Sequence, residues 1–153
     1  MTIAEYAKDA DILSLSVPKL EYEFFDEKMN SKSKLLYSYS PVVDKITLLQ
    51  KSGDIIVRFP MEFSAVGKQD HSDDPKKEDL FFKLKVEFKI VFRSKYKKKV
   101  SEQVRKEIVE QLVPRVIHPY FRLTISDSLQ KAGLPPLQIP LIESLEDDDS
   151  EAL

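Results

Sequence analysis

The fold of this chain is decided by residues 80–93, which read LFFKLKVEFKIVFR. Apolar side chains occupy every second position of the stretch, namely Phe82, Leu84, Val86, Phe88, Ile90 and Phe92. Charged side chains occupy most of the positions between them. Because successive side chains of a β-strand point to opposite faces, this alternation predicts one long strand with an apolar and a charged face. A strand that keeps one wetted face is typical of an antiparallel sheet.

Two earlier segments carry the same alternation and predict partner strands. In residues 12–24 the apolar positions change phase after Pro18, which predicts a bulge or bend in an edge strand. Residues 35–49 continue the extended pattern, with an interruption at Pro41.

A turn separates these segments from the next strand. Ser52-Gly53-Asp54 is a turn signal between two apolar runs, so we expect residues 55–66 to pair antiparallel with the strand before them. Pro60 lies within this strand and has no backbone donor, which indicates an open edge or a local bulge. The sequence therefore predicts a four-stranded antiparallel sheet arranged as a meander.

Beyond residue 100 the apolar period changes to about 3.6, which predicts a helix with Ser101 as its N-cap. One apolar stripe advances in steps of four through Val104, Ile108, Leu112 and Val116. Pro114 and the pair His118-Pro119 interrupt this helix, and a second helical segment continues to a glycine stop at Gly133. The order of elements predicts the α+β class, with a long proline-interrupted helix packed on one face of the sheet.

Length and composition fit a single domain over residues 1–153, with flexible ends at residues 1–10 and 143–153. The chain has 153 residues, 42% of them apolar, and a net charge of −2. This charge gives no global attraction to nucleic acid or to a membrane. The absence of cysteine excludes disulfides and thiolate metal sites. We expect a cytoplasmic protein with no membrane partner, because the sequence has no long apolar run and no apolar leader.

No motif in the sequence indicates an enzyme. There is no phosphate-binding loop, and the two histidines, His71 and His118, lack the spacing of metal ligands. His71 falls in a polar segment predicted as a loop, and His118 precedes a proline in an apolar stretch. We therefore predict a protein without catalytic residues, cofactor or metal.

Four features follow one another in the last third of the chain. A proline-aromatic-arginine run at residues 118–122, HPYFR, is followed by Ser126-Asp127, by Gly133, and by the apolar, proline-rich segment LPPLQIPLI at residues 134–142. This order resembles the SecB family, bacterial chaperones that hold unfolded client polypeptides. The strands before the helix and the acidic end also follow the order of elements in that family.

The resemblance implies an ATP-independent holdase that binds unfolded or non-native polypeptides through exposed apolar grooves and serves protein export. Client contacts are predicted at Tyr37, Tyr39, Val42, Leu134, Leu137, Ile139, Leu141 and Ile142. The family's helices are sandwiched between the sheets of two dimers. This implies a homotetramer, with interface residues predicted at Val104, Ile108, Val109, Leu112, Ile117 and Phe121. Docking on the SecA motor is also implied, although Ser16 stands where the family's first-strand pattern has glutamate.

Two alternatives stay open. One is a dedicated SecB-like chaperone that guards a single antitoxin rather than exported proteins. The other is a nucleic-acid-binding protein that contacts phosphates through a basic patch. The residues of that patch are Arg93, Lys95, Tyr96, Lys97, Lys98, Lys99, Arg105 and Lys106.

Overall fold

The computed structural model describes residues 1–24, 34–68 and 79–134. The acidic end, the predicted loop that contains His71, and the apolar segment beyond Leu134 lie outside the described residues. The chain forms two compact units. The described residues between 9 and 99 form one, and residues 1–8 with residues 100–134 form the other.

The described residues of the first unit form an antiparallel sheet of five strands. They are β1 (Asp11–Phe24), β2 (Lys34–Pro41), β3 (Thr47–Lys51), β4 (Asp54–Lys68) and β5 (Asp79–Arg93). Their order across the sheet is β1-β5-β4-β2, and β3 also pairs with β4. The predicted α+β class and antiparallel sheet are confirmed.

The strand count and order differ from the predicted four-stranded meander. Pro41 ends β2, and a short 3₁₀ turn at Val43–Lys45 separates it from β3, so one predicted strand becomes two. β1 pairs with β5 and not with its neighbour in sequence. This order gives the long, apolar β5 a partner on both edges, whereas a meander would leave one of those edges open.

The alternating apolar residues of β4 and β5 lie together on one face of the sheet. Among the described side chains of these two strands, twelve apolar ones are buried, namely Ile55, Val57, Phe59, Met61, Phe63, Ala65, Phe82, Leu84, Val86, Phe88, Ile90 and Phe92. The opposite face carries the charged residues, and there Arg58 forms an ion pair of 3.5 Å with Glu87. We call the side of the sheet that carries these buried apolar residues the apolar face.

The predicted bulge in β1 is confirmed. The register shifts between Ser16 and Lys19, so that Val17 and Pro18 stand against a single residue of β5. An extra residue on one strand reverses the side that every later side chain faces. The phase change in the sequence therefore keeps the apolar residues on both sides of Pro18 on the apolar face.

Pro60 lies where the outer edge of β4 changes partner. β2 ends at Pro41, opposite Met61, and β3 begins at Thr47, opposite Arg58. The Pro60 carbonyl accepts a hydrogen bond of 2.9 Å from the Val42 N–H. The N–H and C=O of one strand residue point to the same neighbour, so the missing donor of Pro60 faces the gap between β2 and β3. The open edge predicted at Pro60 is therefore the gap between β2 and β3, the two strands that pair with the outer edge of β4.

The hairpin predicted at Ser52-Gly53-Asp54 joins β3 to β4, whose last and first residues pair as Lys51 and Asp54. Ser52 has a positive φ of 55°. A Cβ atom on Gly53 would lie well inside van der Waals contact of the Ser94 carbonyl oxygen. The turn therefore needs a glycine because the chain after β5 approaches it so closely.

Outside the sheet, the described residues form the helices α1 (Ile3–Asp9), α2 (Glu102–Glu107) and α3 (Val113–Lys131), and Asp9 at the end of α1 belongs to the first unit. In α1, Thr2 and Glu5 cap one another, since each side chain accepts a hydrogen bond from the other's backbone N–H, at 3.2 and 3.1 Å. Ser101 caps α2 as predicted, accepting from the Val104 N–H at 3.2 Å.

A π-helical turn at Ile108–Leu112 joins α2 to α3. The Val113 N–H donates to the Ile108 carbonyl, five residues back, and this wider turn accommodates Pro114. The extra residue moves the buried stripe by one position. After Val104 and Ile108 the stripe continues through Val113, Ile117, Phe121, Ile125 and Leu129. The predicted continuation through Leu112 and Val116 was wrong, and both residues are partly exposed.

The predicted boundary at His118-Pro119 was also wrong, because α3 runs without a break from Val113 to Lys131. Pro119 lies inside this helix and is exposed. A proline removes one backbone hydrogen bond, and the buried stripe on either side of it supplies packing that keeps the helix continuous.

Candidate polypeptide-binding surface

Four aromatic rings form a continuous band across the sheet, one from each of β1, β5, β4 and β2. Tyr22 lies 6.1 Å from Phe82, Phe82 lies 6.1 Å from Phe63, and Phe63 lies 5.7 Å from Tyr37 (between ring centroids). The two phenylalanines in the middle are buried, whereas Tyr22 is 49% exposed and Tyr37 is partly exposed. We call these four residues the aromatic band.

Strand register explains why these rings meet. Phe82 and Tyr37 both stand directly opposite Ala65, so a small side chain lies between them in one row. Phe63 belongs to the next row, and the rings of Phe82 and Tyr37 reach it diagonally, over the space that the alanine leaves. Tyr37 stacks on Phe63 with an interplanar angle of 22°.

The hydroxyl at the β2 end of the band stays protonated. Partial burial raises the pKa of Tyr37 above its usual range, because the phenolate would lose hydration. Tyr37 therefore offers an apolar ring with a neutral polar tip, a combination suited to varied polypeptide partners.

Among the described side chains of the sheet, β1 contributes the most exposed large apolar residues. Five large apolar side chains of this strand are about half exposed, namely Ile12, Leu13, Val17, Leu20 and Tyr22. Leu20 and Tyr22 lie opposite Val86 and Leu84, so they extend the apolar face to the β1 edge. We call Leu20 and Tyr22 the β1 rim. Sequence reasoning missed the rim because exposure depends on strand order, although the alternation in residues 12–24 already placed apolar residues on one side.

The eight predicted client residues fall into three groups. Tyr37, Tyr39 and Val42 are partly exposed, and the two tyrosines share the apolar face at the β2 edge. Leu134 is only 5% exposed. The other four, Leu137, Ile139, Leu141 and Ile142, lie outside the described residues.

Leu134 is buried because of how α3 ends. Gly133 adopts a φ of 72°, its N–H donates to the Gln130 carbonyl at 3.1 Å, and the Leu134 N–H donates to the Leu129 carbonyl at 2.9 Å. This ending turns Leu134 back as the hydrophobic contact that commonly accompanies a glycine stop. The glycine stop is confirmed, and Leu134 has almost no surface left for a client.

The six predicted interface residues divide in a similar way. Val104, Ile108, Ile117 and Phe121 are buried within the chain, so they have no surface to offer a partner subunit. Val109 and Leu112 are partly exposed. They begin a second stripe spaced three or four residues apart, which consists of Val109, Leu112, Val116, Tyr120 and Leu123. Tyr120 and Leu123 are exposed, and we call this set the outer stripe.

One residue of the predicted basic patch, Arg93, is held in an ion pair within the sheet. Arg93 forms a bidentate ion pair with Asp54, directly opposite on β4, with nitrogen–oxygen distances of 2.9 and 3.1 Å. The lysines at positions 95, 97, 98 and 99 are exposed.

Residues 1–24, 34–68 and 79–134 offer few features of a metal site or a small-molecule site. These residues bring together no group of three or more His, Cys, Asp or Glu side chains that could hold a metal ion. Two depressions of about 220 and 230 Å³ are lined largely by serine and charged side chains, among them Glu62 and Lys85. Typical ligand sites are larger and mostly apolar. No helix among the described residues is long and apolar enough to cross a membrane.

The sheet and the long helix together have the fold of the SecB-like chaperones, as the resemblance in the sequence implied. One solved structure with this fold is the SecB-like chaperone Rv1957 of Mycobacterium tuberculosis, in complex with a ChAD peptide from the Rv1956 HigA1 antitoxin. The TM-score is 0.73 and the sequence identity 14%, and the match covers 92% of this chain and 95% of that one. No protein-family model and no curated protein matches the sequence.

Proposed function

We propose that this protein is an ATP-independent cytoplasmic chaperone that holds unfolded or non-native polypeptides. The observation that carries the proposal is the apolar face, whose middle is buried while its aromatic and aliphatic residues stay partly exposed at both edges. The SecB-like fold supports it. Apolar patches exposed on a folded domain are a common mark of a protein-binding site.

The strength of each contact explains how such a surface would work. Burying the exposed half of a side chain such as Leu20 contributes about 1 kcal/mol, whereas micromolar binding needs about 8 kcal/mol. A client must therefore contact several of these positions at once, and no single client sequence is required. Binding the unfolded chain lowers its free concentration and delays folding by mass action, without nucleotide.

A second candidate is a dedicated chaperone of one antitoxin. It is favoured by the SecB-like structure of the same fold that was solved with an antitoxin peptide. Protein export with docking on SecA is less well supported, because Ser16 replaces the glutamate of the family's first-strand pattern.

We also propose that the chain assembles into a homo-oligomer. The resemblance to the SecB family implies that this oligomer is a tetramer. The outer stripe is the surface we assign to this contact, since Tyr120 and Leu123 are exposed on a regular helix and Val109 and Leu112 extend the same stripe. A wide apolar stripe on an exposed helix face is typical of helix packing between subunits.

The holdase activity can be tested by dilution of an unrelated, urea-unfolded protein into buffer with and without this chaperone. Wild type should slow the appearance of the native client. The double variant L20S/Y22S removes the β1 rim and should reduce the delay at least by about half, since two of the contacts are lost. A matched control is V43S/L49S, which also removes two exposed apolar side chains, with Leu49 paired to the partly exposed Ile56 on the opposite face.

The outcome depends on the comparison between the two variants. Both should retain the wild-type circular dichroism spectrum, and V43S/L49S should delay the client as wild type does. A wild-type protein that does not delay refolding would contradict the holdase, and an equal loss in both variants would contradict the role of the β1 rim. The triple variant L137S/I139S/L141S tests the predicted client residues beyond Leu134 in the same assay.

A further inference from the structure

The segment that follows β5 carries the densest positive charge of the chain. Residues 94–99 read SKYKKK, and we call them the basic loop. Its four lysines are exposed and Tyr96 is 51% exposed. The chaperone surface on the apolar face does not use this loop.

Backbone and side-chain hydrogen bonds hold the first half of the basic loop in place. The Ser94 N–H donates to the Gly53 carbonyl at 2.8 Å, and the Ser94 hydroxyl donates to the Asp9 carboxylate at 2.7 Å. The same carboxylate accepts from the Lys95 N–H at 3.1 Å, and the Tyr96 N–H donates to the Ser94 hydroxyl at 3.0 Å. Ser94 is itself buried, so this bracing is part of the folded core of the sheet unit.

A second tie fixes the far half of the loop. The Gln50 amide donates to the Lys98 carbonyl at 2.9 Å and to the Ser52 carbonyl at 3.0 Å. The basic loop and the β3–β4 turn therefore form one rigid end of the sheet. Lysines on a braced backbone lose less conformational freedom on binding than lysines on a mobile chain.

Among the described residues, the lysines of this loop are not held in salt bridges. Ion pairs between described residues occupy Arg58, Arg93 and Lys131, and no lysine of the basic loop takes part in them. Two carboxylates at this end of the sheet already have partners: Asp54 holds Arg93, and Asp9 accepts two hydrogen bonds from the loop and interacts with the charge of Lys95. Lys51 adds a further exposed cation beside the β3–β4 turn.

We propose that the basic loop is a docking site for an acidic polypeptide segment. The site offers four exposed lysines within five residues, with an exposed tyrosine among them, which suits several Asp or Glu side chains in succession. Nucleic acid fits less well, because strong binding draws on many phosphate contacts along a basic surface and this chain as a whole carries a charge of −2. The proposal stands apart from the chaperone proposal, since it concerns a different surface.

The test is binding of a fluorescently labelled peptide of ten glutamates to the full-length protein, followed by anisotropy at low salt. Wild type should bind, and added salt should weaken the binding. K97Q/K98Q/K99Q should weaken it at least about fivefold, as expected for the loss of three exposed ion pairs. The control K8Q/K19Q/K45Q removes three other exposed lysines and the same charge, and it should change binding less than about twofold.

Two further measurements separate this site from the alternatives. Q50A keeps every lysine but removes the tie to Lys98, and it should weaken binding about two- to threefold. L20S/Y22S should bind the peptide as wild type does. No binding by wild type, an equal loss in the control triple variant, or tenfold tighter binding of a ten-nucleotide oligothymidylate than of the peptide would each overturn the proposal.

Discussion

Gly53 is the residue on which the rigid end of the sheet depends. Its place beside the Ser94 carbonyl leaves no room for a Cβ atom. We expect G53A to destabilise the protein by about 1–3 kcal/mol, because backbone must move on one side of the contact. Urea unfolding followed by circular dichroism measures this.

Gly133 provides the control for that substitution. A Cβ there would meet nothing within 4 Å, but its φ of 72° is strained for any other residue. G133A should therefore lose about 1 kcal/mol from backbone strain alone. A G53A protein as stable as wild type would show that Ser94 does not press on the turn.

Asp9 makes stability depend on pH. The Ser94 hydroxyl, helped by the Lys95 N–H and charge, holds the pKa of the Asp9 carboxyl below its ordinary value, although desolvation opposes this. A carboxyl whose folded-state pKa lies below its unfolded value stabilises the fold above the unfolded pKa, about 4. That contribution disappears as pH falls through the folded pKa. We expect D9N to be less stable than wild type at pH 7 and the difference to shrink in acid.

The partner of this carboxylate separates a local effect from a general one. S94A removes the hydroxyl that donates to Asp9 at 2.7 Å. In a double-mutant cycle, D9N/S94A should cost less than the sum of the two single variants, because both break the same contact. Strict additivity, or a D9N difference that is constant from pH 7 to pH 3, would contradict the assignment.

Among the elements, α3 offers a direct test of a proline that does not break its helix. Pro119 removes one backbone hydrogen bond from the interior of α3. P119A restores the donor and should stabilise the protein by about 1–3 kcal/mol in urea unfolding. P114A is the matched control, and we expect a smaller gain because the π turn already accommodates that ring. A loss of stability in P119A would mean that the proline ring itself packs usefully.

Local signals in the sequence predicted most elements, and long-range contacts decided the rest. A few adjacent residues predict the bulge at Pro18 and the turn at Gly53, and both are confirmed. The π turn was not predicted, because one extra residue in a helix leaves no composition signal. This extra residue moved the buried stripe from Leu112 to Val113. A stripe read in steps of four cannot foresee that shift.

The residues of the candidate site also divide into those that the local sequence predicted and those that depend on long-range contacts. The aromatics at positions 37 and 39 were named from the sequence, and both lie partly exposed on the apolar face. The β1 rim was not named, because its exposure follows from the pairing of β1 with β5, and nothing local in residues 12–24 specifies that partner. Leu134 was named and is buried, because the glycine stop folds it back.

For the whole molecule, the prediction concerns self-association through the outer stripe. An exposed leucine and an exposed tyrosine one helical turn apart, Leu123 and Tyr120, lie on the same face of α3. Placing charge there would require burial of an unpaired carboxylate in any subunit contact, which costs several kcal/mol. We expect wild type to sediment as an oligomer at micromolar concentration and Y120E/L123E to sediment as a monomer with an unchanged circular dichroism spectrum.

Charge alone must not produce this effect. Q111E adds a carboxylate at an exposed position away from Tyr120 and Leu123, so it should leave the oligomer intact. If the oligomer carries clients on several subunits at once, Y120E/L123E should also hold them more weakly, since separated subunits lose the gain of multivalency. A wild-type monomer at micromolar concentration would contradict the assembly and, with it, the many-contact mode of holding clients proposed for this surface.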